Sequence, residues 1–146
     1  MSPKEKAFKQ MSLYCRLRDA LEWSREHSVD IMEIQPKLLL VKCCSCPTIG
    51  TWYYKMQGGH FIPRGSKGQS GIYFDERNVH AQCGTCNGHR QGNALPYLDF
   101  MVAKYGQPVV DELRLLDAQV KSYGSVELMG YEMMYKQMYS ELLKEF

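Results

Sequence analysis

The chain has 146 residues, 45% of them apolar and 23% charged, with a formal net charge of +2. That length suits one domain with a modest core and helical extensions, the apolar share excludes wholesale disorder, and so small a net charge does not by itself announce a nucleic-acid binder. No run approaches the ~20 apolar residues of a membrane span, the longest candidate being Leu38–Val41, and no apolar segment follows Met1–Lys6, so neither a span nor a secretory signal is expected. The expected setting is cytoplasmic, where six cysteines stay reduced.

In chain order, Phe8, Met11, Cys15, Leu17, Leu21 and Trp23 recur near helical spacing among charged residues, which predicts an amphipathic helix from Lys4 to about His27. Cys15 reads there as a small buried apolar residue, and His27 as a surface residue at the helix end. A β-rich middle follows. Leu38–Val41 and Thr51–Met56 read as strands, residues 65–71 as a flexible loop, and Ile72–Phe74 and Val79–Gln82 as further short strands. A helix is expected from near Cys86 to about Gln91.

The last third reads as helical. Ala94–Tyr105 is closed by Gly106 with Pro108 beyond it, Val109–Tyr123 stops at Gly124, and a third helix runs from a Ser125 cap to the end. Leu128, Tyr131, Tyr135, Met138 and Leu142 lie on one stripe of that helix, fitted to core packing or to a homodimer seam. The organisation expected is therefore α+β: a helical arm over 1–37, a metal-clasped core over 38–92 and a helical extension over 93–146, together one compact domain. Charge is uneven along it. From Cys43 to Gly92 five bases (Lys55, Arg64, Lys67, Arg77, Arg90) meet two acids (Asp75, Glu76), whereas from Asn93 onward five bases meet eight acids.

Cys43–Cys46 and Cys83–Cys86 each have the C-x-x-C spacing that turns two thiolates onto one tetrahedral metal within a tight knuckle. Two knuckles make a four-cysteine zinc site, with Cys44 as the spare. Four thiolates leave no position open for water or substrate, so this zinc is structural, tying the 36 residues between Cys46 and Cys83 at their base. A redox dithiol fits two such pairs less well than a clasp does.

Three of the four histidines lie in or just after that insert, in the runs Gly58–Arg64, Asn78–Gln82 and Cys86–Arg90. A histidine at a strand end followed by apolar-x-Pro, an asparagine before a C-x-x-C, and an asparagine directly after its last cysteine resemble the HNH, or ββα-metal, nuclease pattern. More closely, GGHFIPRGS…FDERNVHAQCGTCNGHRQGN, with Arg16–Ala20 upstream, resembles the lambdoid phage NinG (Rap) family over roughly Tyr14 to Gly106.

The resemblance implies a phage recombination nuclease in a bacterial host cell, cutting branched DNA such as Holliday junctions and D-loops with a divalent ion, Mg²⁺ or Mn²⁺. It implies His60 as the base, Asn78 as the residue that holds its strand, and Asn87 as an oxygen ligand at a helix start. The sequence departs from the pattern at Gly59, where many such enzymes carry a metal-binding Asp or His. His80, which shares a strand face with Asn78 and Gln82, or Asp75 is expected to replace that ligand; the reverse assignment, His60 on metal and His80 as base, stays open. Arg64, Lys67, Arg77 and Arg90 flank the site as candidate phosphate contacts, and His89 reads as an exposed helix residue. Two other readings remain: a four-cysteine zinc module that grips DNA without cutting, and a regulatory protein acting through its last helix.

Overall fold

The computed structural model describes residues 1–63 and 70–146. Its first element is α1, Pro3–Glu26. Ser2 opens it with a capping box: the Glu5 amide donates to Ser2 Oγ at 3.1 Å and the Ser2 amide to Glu5 Oε2 at 3.0 Å, with Pro3 supplying a preset φ. The helix buries more than one stripe. Leu17, Ala20 and Leu21 pack with Trp52, Met56 and Ala81, while Ala7, Met11 and Cys15 join Phe74, Leu128 and Tyr135.

Two antiparallel hairpins follow. β1 (Leu40–Lys42) pairs with β2 (Ile49–Thr51), and β3 (Met56–His60) pairs with β4 (Val79–Cys83) in a register that sets Met56 opposite Cys83 and His60 opposite Val79. Of the strand expected over Thr51–Met56, Thr51 ends β2 and Met56 opens β3, and Trp52–Lys55 form the turn that joins them. Its carbonyls explain the difference: Arg16 Nη1 donates to the oxygens of Trp52, Tyr53 and Met56 at 3.1–3.2 Å, so a buried guanidinium takes the place of a ladder. Ile72–Phe74, also expected as a strand, forms buried turns before Asp75.

Thr85–His89 is a single π-helical turn, shorter than the helix expected to Gln91, because Gln91, Gly92 and Asn93 all take positive φ. α2 (Ala94–Tyr105) agrees with expectation to the residue. α3 (Gln107–Asp117) stops before the expected Tyr123, the chain leaving it to bridge Val120 to Ser70. α4 (Ser125–Leu143) is capped by Gly124 without a side-chain bond, not by Ser125. Its expected stripe faces inward within the chain: Leu128 and Tyr135 are buried against α1, Tyr131 stacks on Phe74 at 4.5 Å, and Leu142 packs near Trp52. No helix among the described residues is long and apolar enough to cross a membrane.

Candidate metal centre and the histidine hairpin

Cys43 and Cys46 sit in the turn between β1 and β2, closed by the Cys43 amide donating to Thr48 O at 2.8 Å. Cys83 ends β4 and Cys86 lies on the helical turn beyond it. The four sulfur atoms all lie within 4.8 Å of one another, the only such group of three or more His, Cys, Asp or Glu donors among the described residues. Cys46 Sγ and Cys83 Sγ are 3.7 Å apart. A disulfide needs about 2.05 Å, whereas a tetrahedral metal with bonds of about 2.3 Å sets sulfurs about 3.8 Å apart. The donor set therefore fits a metal such as zinc.

The surroundings suit negative sulfur. Cys43 Sγ accepts from the Cys83 and Ser45 amides at 3.3 and 3.5 Å; Cys86 Sγ accepts from Arg90 Nη1 at 3.3 Å and Asn93 Nδ2 at 3.6 Å. A hydrogen bond from Cys44, helped by those two amides, holds the Cys43 thiol down to about 3. Cys44 itself lies in the cluster of Ile72, Tyr97 and Met101, where burial pushes its thiol up. Cys15 is fully buried, as expected, with its thiol pushed up to about 12 by burial.

The β3–β4 hairpin places the polar candidates. Directly opposed residues share a face and successive ones alternate, so His60 lies with Val79 on one face and Gly59 with His80 on the other. On the first, His60 is 8% exposed, stacks on Phe8 at 4.9 Å and has Nε2 3.3 Å from Tyr73 O. On the second, His80 is enclosed by Tyr97, Phe100 and Tyr105. His80 Nδ1 lies 3.1 Å from Asp19 Oδ2 and 3.0 Å from Arg18 Nη2, and Nε2 lies 3.1 Å from the Tyr105 hydroxyl and 3.2 Å from Arg77 O, so both ring nitrogens have partners. Burial lowers its pKa below 6.5. His80 thus does not stand beside His60 as the replacement ligand, because the register sends the two rings to opposite faces.

Asp75 is committed as well: both its oxygens take the Arg77 guanidinium at 3.0 and 2.8 Å, and Arg77 reaches on to Glu112 at 2.9 Å. That pairing engages an expected ligand and an expected phosphate contact with each other. Arg90 is turned toward the Cys86 sulfur. Arg64 and Lys67 lie outside the described residues. His89 is exposed, and His27 stacks on Trp23 at 4.0 Å.

Asn78 is fully buried and clamps the chain just past His60: its Oδ1 accepts from the Ile62 amide at 2.9 Å and its Nδ2 donates to Ile62 O at 3.0 Å. Asn87 donates to Gln57 Oε1 at 2.8 Å. Gln57 lies three residues before His60, about 10 Å along an extended strand, so Asn87 and His60 occupy opposite ends of β3. Gly59 has a packing reason to lack a side chain. A Cβ there would fall 2.9 Å from Gln82 Cβ and closer still to its amide oxygen, which is buried without a hydrogen-bond partner. The donors expected for a catalytic divalent ion, Asp75, His80 and Asn87, do not converge.

One buried network was not anticipated. Arg18 donates to Glu76 O at 2.9 Å and Val79 O at 2.7 Å, and Asp19 Oδ2 accepts from the Ala81 amide at 2.8 Å, so this α1 pair satisfies the free edge of β4 much as another strand would. Burial opposes the charge on Asp19, but Arg18 and His80 outweigh it and hold the carboxyl well below the usual range. The signal in the sequence was an adjacent Arg–Asp on an otherwise apolar helix face.

Residues 32–145 match the family model described as Bacteriophage Lambda NinG protein. The chain is 38% identical over 71 residues to Protein ninG of Escherichia phage 933W, and 37% over 71 residues to Protein ninG of Escherichia phage lambda, covering 49% of this chain and 33% of each relative. It is 42% identical over 55 residues to Protein ninG of Enterobacteria phage H19B, covering 38% of this chain and 26% of that protein. The matched part thus spans about a third of the length of the first two relatives. No solved structure matches. A match across 32–145, holding both cysteine knuckles and the histidine hairpin between them, shows that the chain belongs to the NinG family.

Proposed function

We propose that this chain is a metal-dependent DNA endonuclease of the HNH type, selective for branched DNA, with a structural zinc on Cys43, Cys46, Cys83 and Cys86. The observation that carries the reading is the Asn78 clamp. A module that only needs its zinc has no use for a buried carboxamide bonded twice to the backbone two residues past a strand-end histidine.

His60 is the base. Its Nε2 lies 3.3 Å from Tyr73 O, and in this reading the imidazole takes the proton from water as it attacks phosphorus. The Asn78 clamp and the stacking on Phe8 fix that ring. The chemistry that a Mg²⁺ or Mn²⁺ would supply when bound is to offset charge on the scissile phosphate and the leaving 3′ oxygen. Asn87 is the donor this chain would offer such an ion, Asp75 and His80 being engaged elsewhere.

The burial of His60 and the dispersal of those donors favour one second reading, a zinc module that binds branched DNA without cutting. Cleavage of a labelled four-way junction beside a matched duplex, with Mg²⁺, with Mn²⁺ and with EDTA, separates them. Metal-dependent cutting of the junction but not the duplex, lost in His60→Ala with folding and DNA binding retained, supports the nuclease. Retained cutting in His60→Ala removes His60 as the base. Binding without cutting by the wild-type chain leaves the zinc module.

A further inference from the structure

Between Glu33 and Asp75 the chain contains no acid, yet it carries Lys37, Lys42, Lys55, Arg64 and Lys67. The first three are exposed, and no ion pair among the described residues involves any of them. The same segment leaves Tyr54 68% exposed, with its ring edge-on to Tyr53 at 4.9 Å, and Lys37 Nζ lies 4.5 Å over the Tyr53 ring. Beside them opens a cleft of about 380 Å³ lined by Pro36, Leu38, Trp52, Tyr54, Tyr139 and Leu143. The outer face of β1 continues the surface with exposed Leu40 and Lys42.

We infer that this surface, the Lys37–Tyr54 cleft with the outer face of β1, binds an unpaired DNA strand. Lysines from a segment without acids complement a polyanion, and Lys37, Lys42 and Lys55, which pair with no carboxylate among the described residues, have nothing to surrender before meeting phosphate, even though Glu22 and Glu26 line the cleft on the far side of Lys42. The aromatic part selects single strand over duplex: an exposed ring beside an apolar cleft gains from an unstacked base and gains nothing from paired bases held inside a helix. Exposed Leu38, Leu40 and Tyr54 have no comparable role toward duplex phosphates. The inference rests on the reading of this chain as DNA-acting. It assigns the unpaired arm of a branched substrate to a surface whose cleft is lined by neither His60 nor any of the four thiols.

The test uses the full zinc-loaded chain without added Mg²⁺ and measures anisotropy with a labelled mixed-sequence single strand and with the same sequence as blunt duplex. The wild-type chain is expected to bind the strand more tightly. Tyr54→Ala should weaken the strand about 5-fold or more while leaving duplex binding unchanged, and Tyr54→Phe should restore it. Lys37→Gln with Lys42→Gln should reduce the slope of log K against log salt by roughly 0.7 per lysine. Equal binding of strand and duplex, or indifference to Tyr54→Ala, overturns the inference. So does a concentration-dependent mass increase without DNA that Tyr54→Ala removes, which makes the surface a contact between copies. Junction cleavage by the wild-type chain keeps the two proposals apart: cutting with Tyr54-independent binding sinks this surface alone, and Tyr54-dependent binding without cutting sinks the nuclease alone.

Discussion

The two ends of the β3–β4 hairpin behave differently. At the Met56–Cys83 end, two cysteine pairs with 36 residues between them meet as four sulfurs within 4.8 Å. At the His60–Val79 end, residues only two to twenty positions apart in sequence go to opposite faces, into ion pairs, or into the packing of α1. A C-x-x-C writes its geometry locally, since each knuckle is a turn that presents two thiols whatever surrounds it. A catalytic set depends on which face each strand residue takes and on what packs there.

The sharpest way to break the contrast is to remove the clasp. Cys83→Ser with Cys86→Ser, or chelation of the metal, is expected to cost on the order of 10 kcal/mol and to abolish cooperative unfolding. Metal content by plasma mass spectrometry and thermal melts by circular dichroism check it. A chain that melts unchanged without metal would show that α1 and the helices hold the hairpins by themselves.

Next in size is the buried pair at the other end. Asp19→Ala leaves Arg18 and His80 without their carboxylate and the Ala81 amide without an acceptor. The expected loss is about 3–5 kcal/mol, read from urea unfolding. A loss under about 1 kcal/mol, the range of an exposed pair, would mean that the Arg18–Asp19 edge does not organise β4.

How far the sequence discloses this molecule follows the same division. Helix limits set by capping and by Gly106 are local, and α2 was legible to the residue. The four cysteines were legible for the same reason. Thr51–Met56 was misread because its β-forming aromatics serve a turn held by Arg16, a long-range contact that no propensity encodes. His80 was misread because shared strand parity with Asn78 gave a face without telling what covers it; α2 does. The Asp75–Arg77–Glu112 chain joins β4's approach to α3, a contact 35 positions apart that composition leaves open.

Gly59 sharpens the comparison further, because packing explains a glycine where the HNH pattern would favour a metal-binding Asp or His. Gly59→Asp is expected to destabilise the chain by about 1–3 kcal/mol, since its side chain must displace Gln82 from between Ser45 and Gly92, to which it donates at 2.9 and 2.8 Å. Junction cleavage should not increase. A variant that gained cleavage without losing stability would show that the position lost a metal ligand rather than acquired a packing constraint.

The smallest effect expected is in the pH dependence of stability, and its sign is fixed by burial. His80 is neutral in the fold, with its pKa lowered below 6.5 by desolvation, so on acidification the unfolded chain takes up this proton before the folded one does. Its contribution is complete above pH 6.5 and is lost as pH falls through 6.5 toward the lowered folded value. Asp19, whose folded pKa is depressed, withdraws its own contribution only in a more acidic window, as pH falls below its ordinary value of 3.8. Urea midpoints at pH 7.5 and 5.5 should therefore fall together with pH in the wild-type chain, and fall less in His80→Gln, where no imidazole titrates. The cysteine clasp also responds to acid, but it is common to both proteins and cancels in their difference. An equal fall in the two would mean that the ring is charged in the fold, with both nitrogens donating, Nδ1 to Asp19 and Nε2 to Arg77 O or the Tyr105 hydroxyl.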